Sequence, residues 1–239
     1  MAAAMNISSP DLSRHLFHIA RRSATRLQDC PEVIIPETCV PLPENRLFCQ
    51  SSDNTGRRIL ELGSGWGEFL LQWLRMNPTD QLVAMEIKQD RIRRTLKKYR
   101  RDFVDQQRLR MIPINFGWFL NEILPPGAFD GIIINFPDPW PKRRHWKHRL
   151  VRPGFPGRMA ALLRPGGWLH LATDYGPYAR RMLHIMRSAT EFHSMLTGPD
   201  YLRERPADFP PTYFEKIQKA AGYRPFYMQW ALSESVSPD

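Results

Sequence analysis

The chain is 239 residues long and carries 34 Lys and Arg against 24 Asp and Glu, a net charge of +10. That length accommodates one sizeable α/β domain and leaves two cramped, while the charge favours an acidic partner, nucleic acid first and an anionic membrane surface second. No apolar run reaches the ~18 residues of a membrane span, and Cys30, Cys39 and Cys49 are odd in number and match no zinc spacing, which argues against a metal centre and a disulfide framework alike.

Residues 1–56 are rich in proline (Pro10, Pro31, Pro36, Pro41, Pro43) and end in the polar cluster Ser51-Ser52-Asp53-Asn54-Thr55-Gly56, a boundary signal. We expect an irregular N-terminal extension over 1–56 and the main domain over 57–239. Leu16-Phe17-His18-Ile19-Ala20 is too short for a secretory core, so a cytoplasmic protein is expected. Arg14, Arg21, Arg22 and Arg26 suit an RNA-contacting arm and an organellar transit peptide equally.

Beyond residue 56, short apolar runs alternate with amphipathic segments of helix length. Strands are predicted near 58–62, 82–87, 109–114, 129–135, 167–173 and 224–232, and helices near 67–76, 89–103, 155–163, 175–188 and 211–221. This alternation predicts an α/β fold, a mostly parallel sheet with helices on both faces.

The first strand, Arg58-Ile59-Leu60-Glu61-Leu62, runs directly into Gly63-Ser64-Gly65-Trp66-Gly67. A glycine turn from strand to helix lets a ligand approach the backbone and leaves helix N–H groups facing it. A dinucleotide site wants a third glycine or alanine where this chain has Glu68. Glu61 would repel a pyrophosphate but suits the sulfonium and amino groups of S-adenosyl-L-methionine. Gly63, Gly65, Gly67 and Glu61 are therefore candidate cofactor contacts.

The second strand ends in Glu86, placed to accept the ribose hydroxyls of an adenosine. In the helix that follows, Ile92, Leu96, Tyr99 and Phe103 form one apolar stripe, and Arg91, Arg94, Lys98 and Arg101 a separate basic face, either solvated or in contact with RNA. The third strand leads to Asn115, whose amide is a candidate partner for the adenine edge.

The apolar run Ile132-Ile133-Ile134 delivers Asn135-Phe136-Pro137-Asp138-Pro139-Trp140-Pro141, and two prolines fix the backbone around the Asp138 carboxylate. From Pro139 to Thr173 there is no Asp or Glu, whereas Lys142, Arg143, Arg144, Lys147, Arg149, Arg152, Arg158 and Arg164 all occur. A lone acid in a cationic segment suits a site that grips a polyanion and acts on one of its groups. Trp140, His145 and Trp146 suit stacking on a base or packing within the protein. Asp174 ends the fifth strand as a crevice residue or a helix cap, and Thr212 and Glu215 have capping-box spacing.

Three separated motifs, Phe136 to His145 with Lys147 and Arg149, Thr173-Asp174 with Tyr178-Ala179, and Pro211-Thr212-Tyr213-Phe214-Glu215, resemble the bacterial tRNA (guanine-N7)-methyltransferases over residues 58–230. The resemblance implies a Rossmann-like class I methyltransferase that uses S-adenosylmethionine on a guanine of the tRNA variable loop, position 46. It implies that Glu61, Glu86, Asn115 and Asp138 line the cofactor site, with Asp138 also catalytic. Lys142, Asp174, Thr212, Tyr213, Phe214 and Glu215 would hold the RNA. The chain departs from the family pattern at Asn115-Phe116, where many members have Asp-Ala, and at the bulky Trp66. Partners expected are tRNA, with no membrane and no metal, and a monomer and a homodimer remain equally open.

Two other readings compete. An amino-group methyltransferase on RNA or DNA typically places two prolines and an aromatic directly after an Asn or Asp, an order that Asp138-Pro139-Trp140-Pro141 breaks. A catalytically silent RNA-binding module of the same fold has no use for Glu61, Glu86 and the glycine turn together.

Overall fold

The computed structural model describes residues 17–18, 24–49, 56–103 and 107–234. Among these, seven strands form one sheet in the order β3-β2-β1-β4-β5-β7-β6. The strands are β1 Arg58–Leu62, β2 Gln81–Met85, β3 Leu109–Ile112, β4 Phe129–Asn135, β5 Leu163–Thr173, β6 Phe192–Ser194 and β7 Phe226–Leu232. The helices are α1 Glu44–Leu47, α2 Glu68–Met76, α3 Gln89–Asp102, α4 Phe116–Ile123, α5 Phe155–Ala160, α6 Gly176–Arg187 and α7 Tyr213–Ala220. β1 to β5 pair in parallel, and β7 runs antiparallel between β5 and β6.

From β1 the chain builds outward through β2 to β3, then returns to lay β4 and β5 on the other side. The β1–β4 junction is therefore the switch point, where an open α/β sheet leaves a crevice at the strands' carboxyl ends. Register sets what meets there. Glu61 pairs with Ala84 and with Ile133, and Met85 pairs with Ile112, so the segments after β1, β2, β3 and β4 emerge from one edge.

The central strands are buried on both faces, as continuous apolar runs require, with β2 buried throughout and Ile132, Ile133 and Ile134 inaccessible. Ile92, Leu96 and Tyr99 of α3 are buried as their spacing predicts. The stretch preceding the sheet contributes to the same core through Ile34, Leu42, Leu47 and Phe48. Met111 N–H donates to the Glu32 carbonyl, and Ile34 N–H to the Met111 carbonyl, each at 2.9 Å. These bonds cover the outer edge of β3, which would otherwise present unpaired backbone. Arg100 locks the arrangement with its Nε 2.8 Å from Glu32 Oε1.

The short helix α1 lies in a stretch expected to be irregular, and three further elements differ from expectation. α4 was not predicted; Asn115 Oδ1 accepts the Gly117 N–H at 2.9 Å and starts it. β6 has three residues, too few to show alternation. β5 begins at Leu163, so Pro165-Gly166-Gly167 lies within it, against a register shift in β4 between Phe129 and Gly131.

Candidate active site

Gly63, Gly65 and Gly67 adopt φ of 81°, 57° and 75°, a region that suits residues without a Cβ. Gly67 is doubly constrained, because a Cβ there would lie 2.4 Å from Thr95 Cγ2 on α3. The turn is tied to β2 by the Gly63 N–H donating to the Met85 carbonyl at 2.8 Å. Glu86 then reaches back, its Oε2 accepting the Gly65 N–H at 3.0 Å and its Oε1 the Lys88 N–H at 2.9 Å.

The basic face of α3 folds largely onto this turn. Arg94 and Arg91 lie over the Trp66 ring at 4.7 and 5.5 Å, Arg91 also pairs with Glu86 at 3.5 Å, and Lys98 donates to the Trp66 carbonyl at 3.2 Å and pairs with Glu68 at 2.9 Å. Two guanidinium groups of α3 thus lie against the Trp66 ring, a contact its sequence context does not reveal. Arg101, by contrast, pairs with its neighbour Asp102.

Glu61 is 2 % exposed, and its Oε2 has no hydrogen-bond partner among the described residues. Burial, then the neighbouring Glu86 and Glu68 carboxylates, pushes its pKa up to about 8. A buried acid without a partner is costly unless a cation or donor reaches it. The donor set therefore fits the sulfonium and amino groups of S-adenosylmethionine.

At the end of β3, the acceptor of Asn115 is engaged in capping α4. Phe116 stands beside the glycine turn: a Cβ on Gly63 would lie 3.8 Å from its ring. Arg158 fixes this corner, donating to Asn121 Oδ1 at 3.1 Å and to the Phe116 carbonyl at 3.3 Å.

After β4, Asp138 is exposed between two residues in the left-handed region, Phe136 at φ 50° and Trp140 at φ 40°. The Phe136 N–H donates to the Ala172 carbonyl of β5 at 2.9 Å, and its ring lies 5.2 Å from Phe214 on α7. On the other side, buried Arg149 donates to the Pro139 carbonyl at 2.7 Å. Lys142, Arg143, Arg144 and Lys147 are exposed around a 3-10 turn, Arg143–His148. Trp140 packs on His148 and His145, centroids 5.2 and 5.6 Å apart, and Trp146 Nε1 donates to the Pro141 carbonyl at 3.3 Å. These aromatics pack on their own loop.

Asp174 is half-buried, and burial pushes its carboxyl up. Thr212 Oγ1 accepts the Glu215 N–H at 2.9 Å in a complete capping box, and buried Glu215 pairs with Lys219 at 3.1 Å and Arg205 at 3.4 Å. Tyr213 and Phe214, between them, are 56 % and 43 % exposed, so they are free to meet a ligand where Thr212 and Glu215 are engaged in the fold.

A family model described as a putative methyltransferase matches residues 56–225. A tRNA (guanine-N(7)-)-methyltransferase of Nitrosomonas europaea is 38 % identical over 193 residues, covering 80 % of this chain and 84 % of that protein. One from Leptospira interrogans is 36 % identical over 174 residues, covering 73 % and 78 %. Among solved structures, the 16S rRNA methyltransferase KamB shares the fold at a TM-score of 0.55 and 14 % identity, over 75 % of this chain and 89 % of that one.

Proposed function

The chain belongs to the tRNA (guanine-N7)-methyltransferase family, and on that footing we propose that its chemistry takes place in the crevice above the β1–β4 junction, with Asp138 at the reaction centre. It is an enzyme that transfers a methyl group from S-adenosylmethionine to N7 of a guanine in tRNA. We assign the guanine to the variable loop, position 46. One observation carries the placement. β1 and β4 are direct neighbours at the switch point, so the glycine turn and the Asp138 loop open onto the same edge.

When bound, S-adenosylmethionine supplies an electrophilic methyl group on a sulfonium sulfur. Glu61 offers its unpartnered carboxylate to the cationic end, and the turn through Gly63, Gly65 and Gly67 lets that end approach the backbone. Glu86, already bracing Gly65, presents its remaining lone pairs to the ribose hydroxyls. Asn115 and Phe116 border the adenine side.

Guanine N7 carries an available lone pair on the major-groove edge, so no side chain has to create a nucleophile. The protein aligns the reacting atoms. As methylation makes the purine ring cationic, Asp138 stabilises that charge or accepts from the N1–H and amino group, and takes no proton from N7. Lys142 and the exposed cations around it meet phosphate, which requires salt-sensitive binding. Asp174 and the segment Thr212, Tyr213, Phe214 and Glu215 border the substrate on the β5–α7 side.

Among the described residues no helix is long and apolar enough to cross a membrane, and no cluster of His, Cys, Asp and Glu is placed to hold a metal. Incubating the protein with labelled donor and unmodified tRNA tests the function. N7-methylguanosine in the variable loop supports it, and a methyl group on an exocyclic amine opposes it.

A further inference from the structure

The cationic run after Asp138 divides by direction. Lys142, Arg143, Arg144 and Lys147 are exposed, whereas Arg149 is only 5 % exposed. Its guanidinium donates from Nε to the Pro139 carbonyl at 2.7 Å and from Nη2 to the Trp140 carbonyl at 3.3 Å. It lies 4.7 Å from the Trp146 ring centroid and 4.9 Å from that of Tyr178. Tyr178 is itself wholly buried on α6, and its hydroxyl accepts the Val151 N–H at 3.0 Å.

These contacts answer a problem set by the backbone. Phe136 and Trp140, two residues before and after Asp138, both hold positive φ, 50° and 40°, without being glycine. Such conformations persist only where surrounding structure over-determines them, and they concentrate at functional sites. Pro137, Pro139 and Pro141 have no N–H with which to bond the loop to the protein. The first flank is held by the Phe136 bond to Ala172. The second depends on acceptors: Trp146 Nε1 donates to the Pro141 carbonyl, and Arg149 supplies the donors to the two carbonyls nearest Asp138, those of Pro139 and Trp140.

We propose that Arg149 is a positioning residue for methyl transfer: its inward guanidinium grips the two carbonyls that follow Asp138 and so sets where that carboxylate stands, instead of binding RNA phosphate. A planar fork in contact with two rings reaches two carbonyls at once, and a lysine ammonium, strongly hydrated and on a flexible stem, does not reproduce it. This role rests on Asp138 acting at the reaction centre.

The experiment compares Arg149→Lys and Arg149→Gln with Asp138→Asn, measuring kcat, the KM for tRNA, and the Kd for S-adenosylmethionine by calorimetry. Amide exchange is followed by mass spectrometry across residues 135–142 in the protein alone. A misplacement of ~1 Å at a reacting centre costs about 100-fold, so kcat in Arg149→Lys should fall by about 10- to 100-fold, with KM and Kd within about threefold of the parent. Exchange should quicken in 135–142 and stay unchanged across the glycine turn. Arg149→Gln, which buries no charge, should show the same split even if the lysine variant folds poorly. A raised KM with unchanged kcat would make Arg149 a phosphate contact and overturn the proposal, as would unchanged exchange across 135–142. Loss of turnover in Asp138→Asn with turnover retained in both Arg149 variants also overturns it, leaving Asp138 in place. Retained turnover in Asp138→Asn removes the premise itself.

Discussion

The ring of Phe136 lies 5.2 Å from the ring of Phe214. That contact joins the loop carrying Asp138 to the first turn of α7, two segments far apart in sequence. The capping box of Thr212 and Glu215 fixes the start of α7, which orients exposed Tyr213 and Phe214 relative to the loop. On the proposed assignment, the two side chains that would face the substrate are carried by a capped helix terminus, an arrangement that would limit how far a bound base can shift.

The proposed phosphate contact of the exposed Lys142 would leave a salt signature. Lys142→Ala should raise the KM for tRNA and lower the slope of log affinity against log salt by about 1. Fluorescence titrations between about 50 and 200 mM salt measure it. A slope identical to that of the parent would show that Lys142 meets no phosphate.

The proposed contact of Glu61 with the donor would link donor binding to pH. Its folded pKa, raised to about 8 by burial and then by Glu86 and Glu68, lies above the ordinary value of 4.5. Between those values the folded protein keeps a proton that the unfolded chain has lost. The associated stability is complete below about 4.5 and disappears as pH rises through about 8. The Tm of the parent should therefore drop more steeply from about pH 5 to 8 than that of Glu61→Gln. A cationic donor favours the carboxylate, so donor binding near neutral pH should release a proton, seen as heat that varies with buffer. Glu61→Gln should lose that release and bind the donor about 10- to 100-fold more weakly, the loss of a charge-assisted contact of ~1.5–3 kcal/mol. Binding without proton release would remove Glu61 from the cationic end.

The glycines of the turn separate stability from binding. Gly67→Ala places a Cβ 2.4 Å from Thr95 Cγ2 at a φ of 75°, and should cost ~2–3 kcal/mol in urea unfolding. At Gly65, φ is 57° and a Cβ would meet no atom within 4 Å. Gly65→Ala should cost only ~1 kcal/mol and appear mainly as weaker donor binding. Equal stability losses in the two variants would contradict this division.

Much of the sheet was legible because its strands are short apolar runs separated by amphipathic helices. β1, β4 and the stripe on α3 follow directly from spacing. α4 was hidden because Phe116-Gly117-Trp118-Phe119 shows no clean stripe and its cap, Asn115, reads equally well as a ligand contact. β6 was too short to alternate. At the candidate site, the tight turn through Gly63, Gly65 and Gly67 directly after Glu61 was readable as a turn from the order of residues along the chain. The guanidinium contacts on Trp66 and the inward turn of Arg149 were not, since a buried arginine in a cationic run has the same sequence signature as an exposed one. Burial is set by partners such as Tyr178, which the chain brings in from α6.

Single-turnover methylation of unmodified tRNA by Asp138→Asn, with the donor Kd measured on the same preparation, tests most directly whether this carboxylate acts at the reaction centre. Loss of preorganised electrostatics of ~3 kcal/mol predicts a rate about 100-fold below the parent, with donor affinity changed by no more than about threefold. A rate within about threefold of the parent would contradict the account.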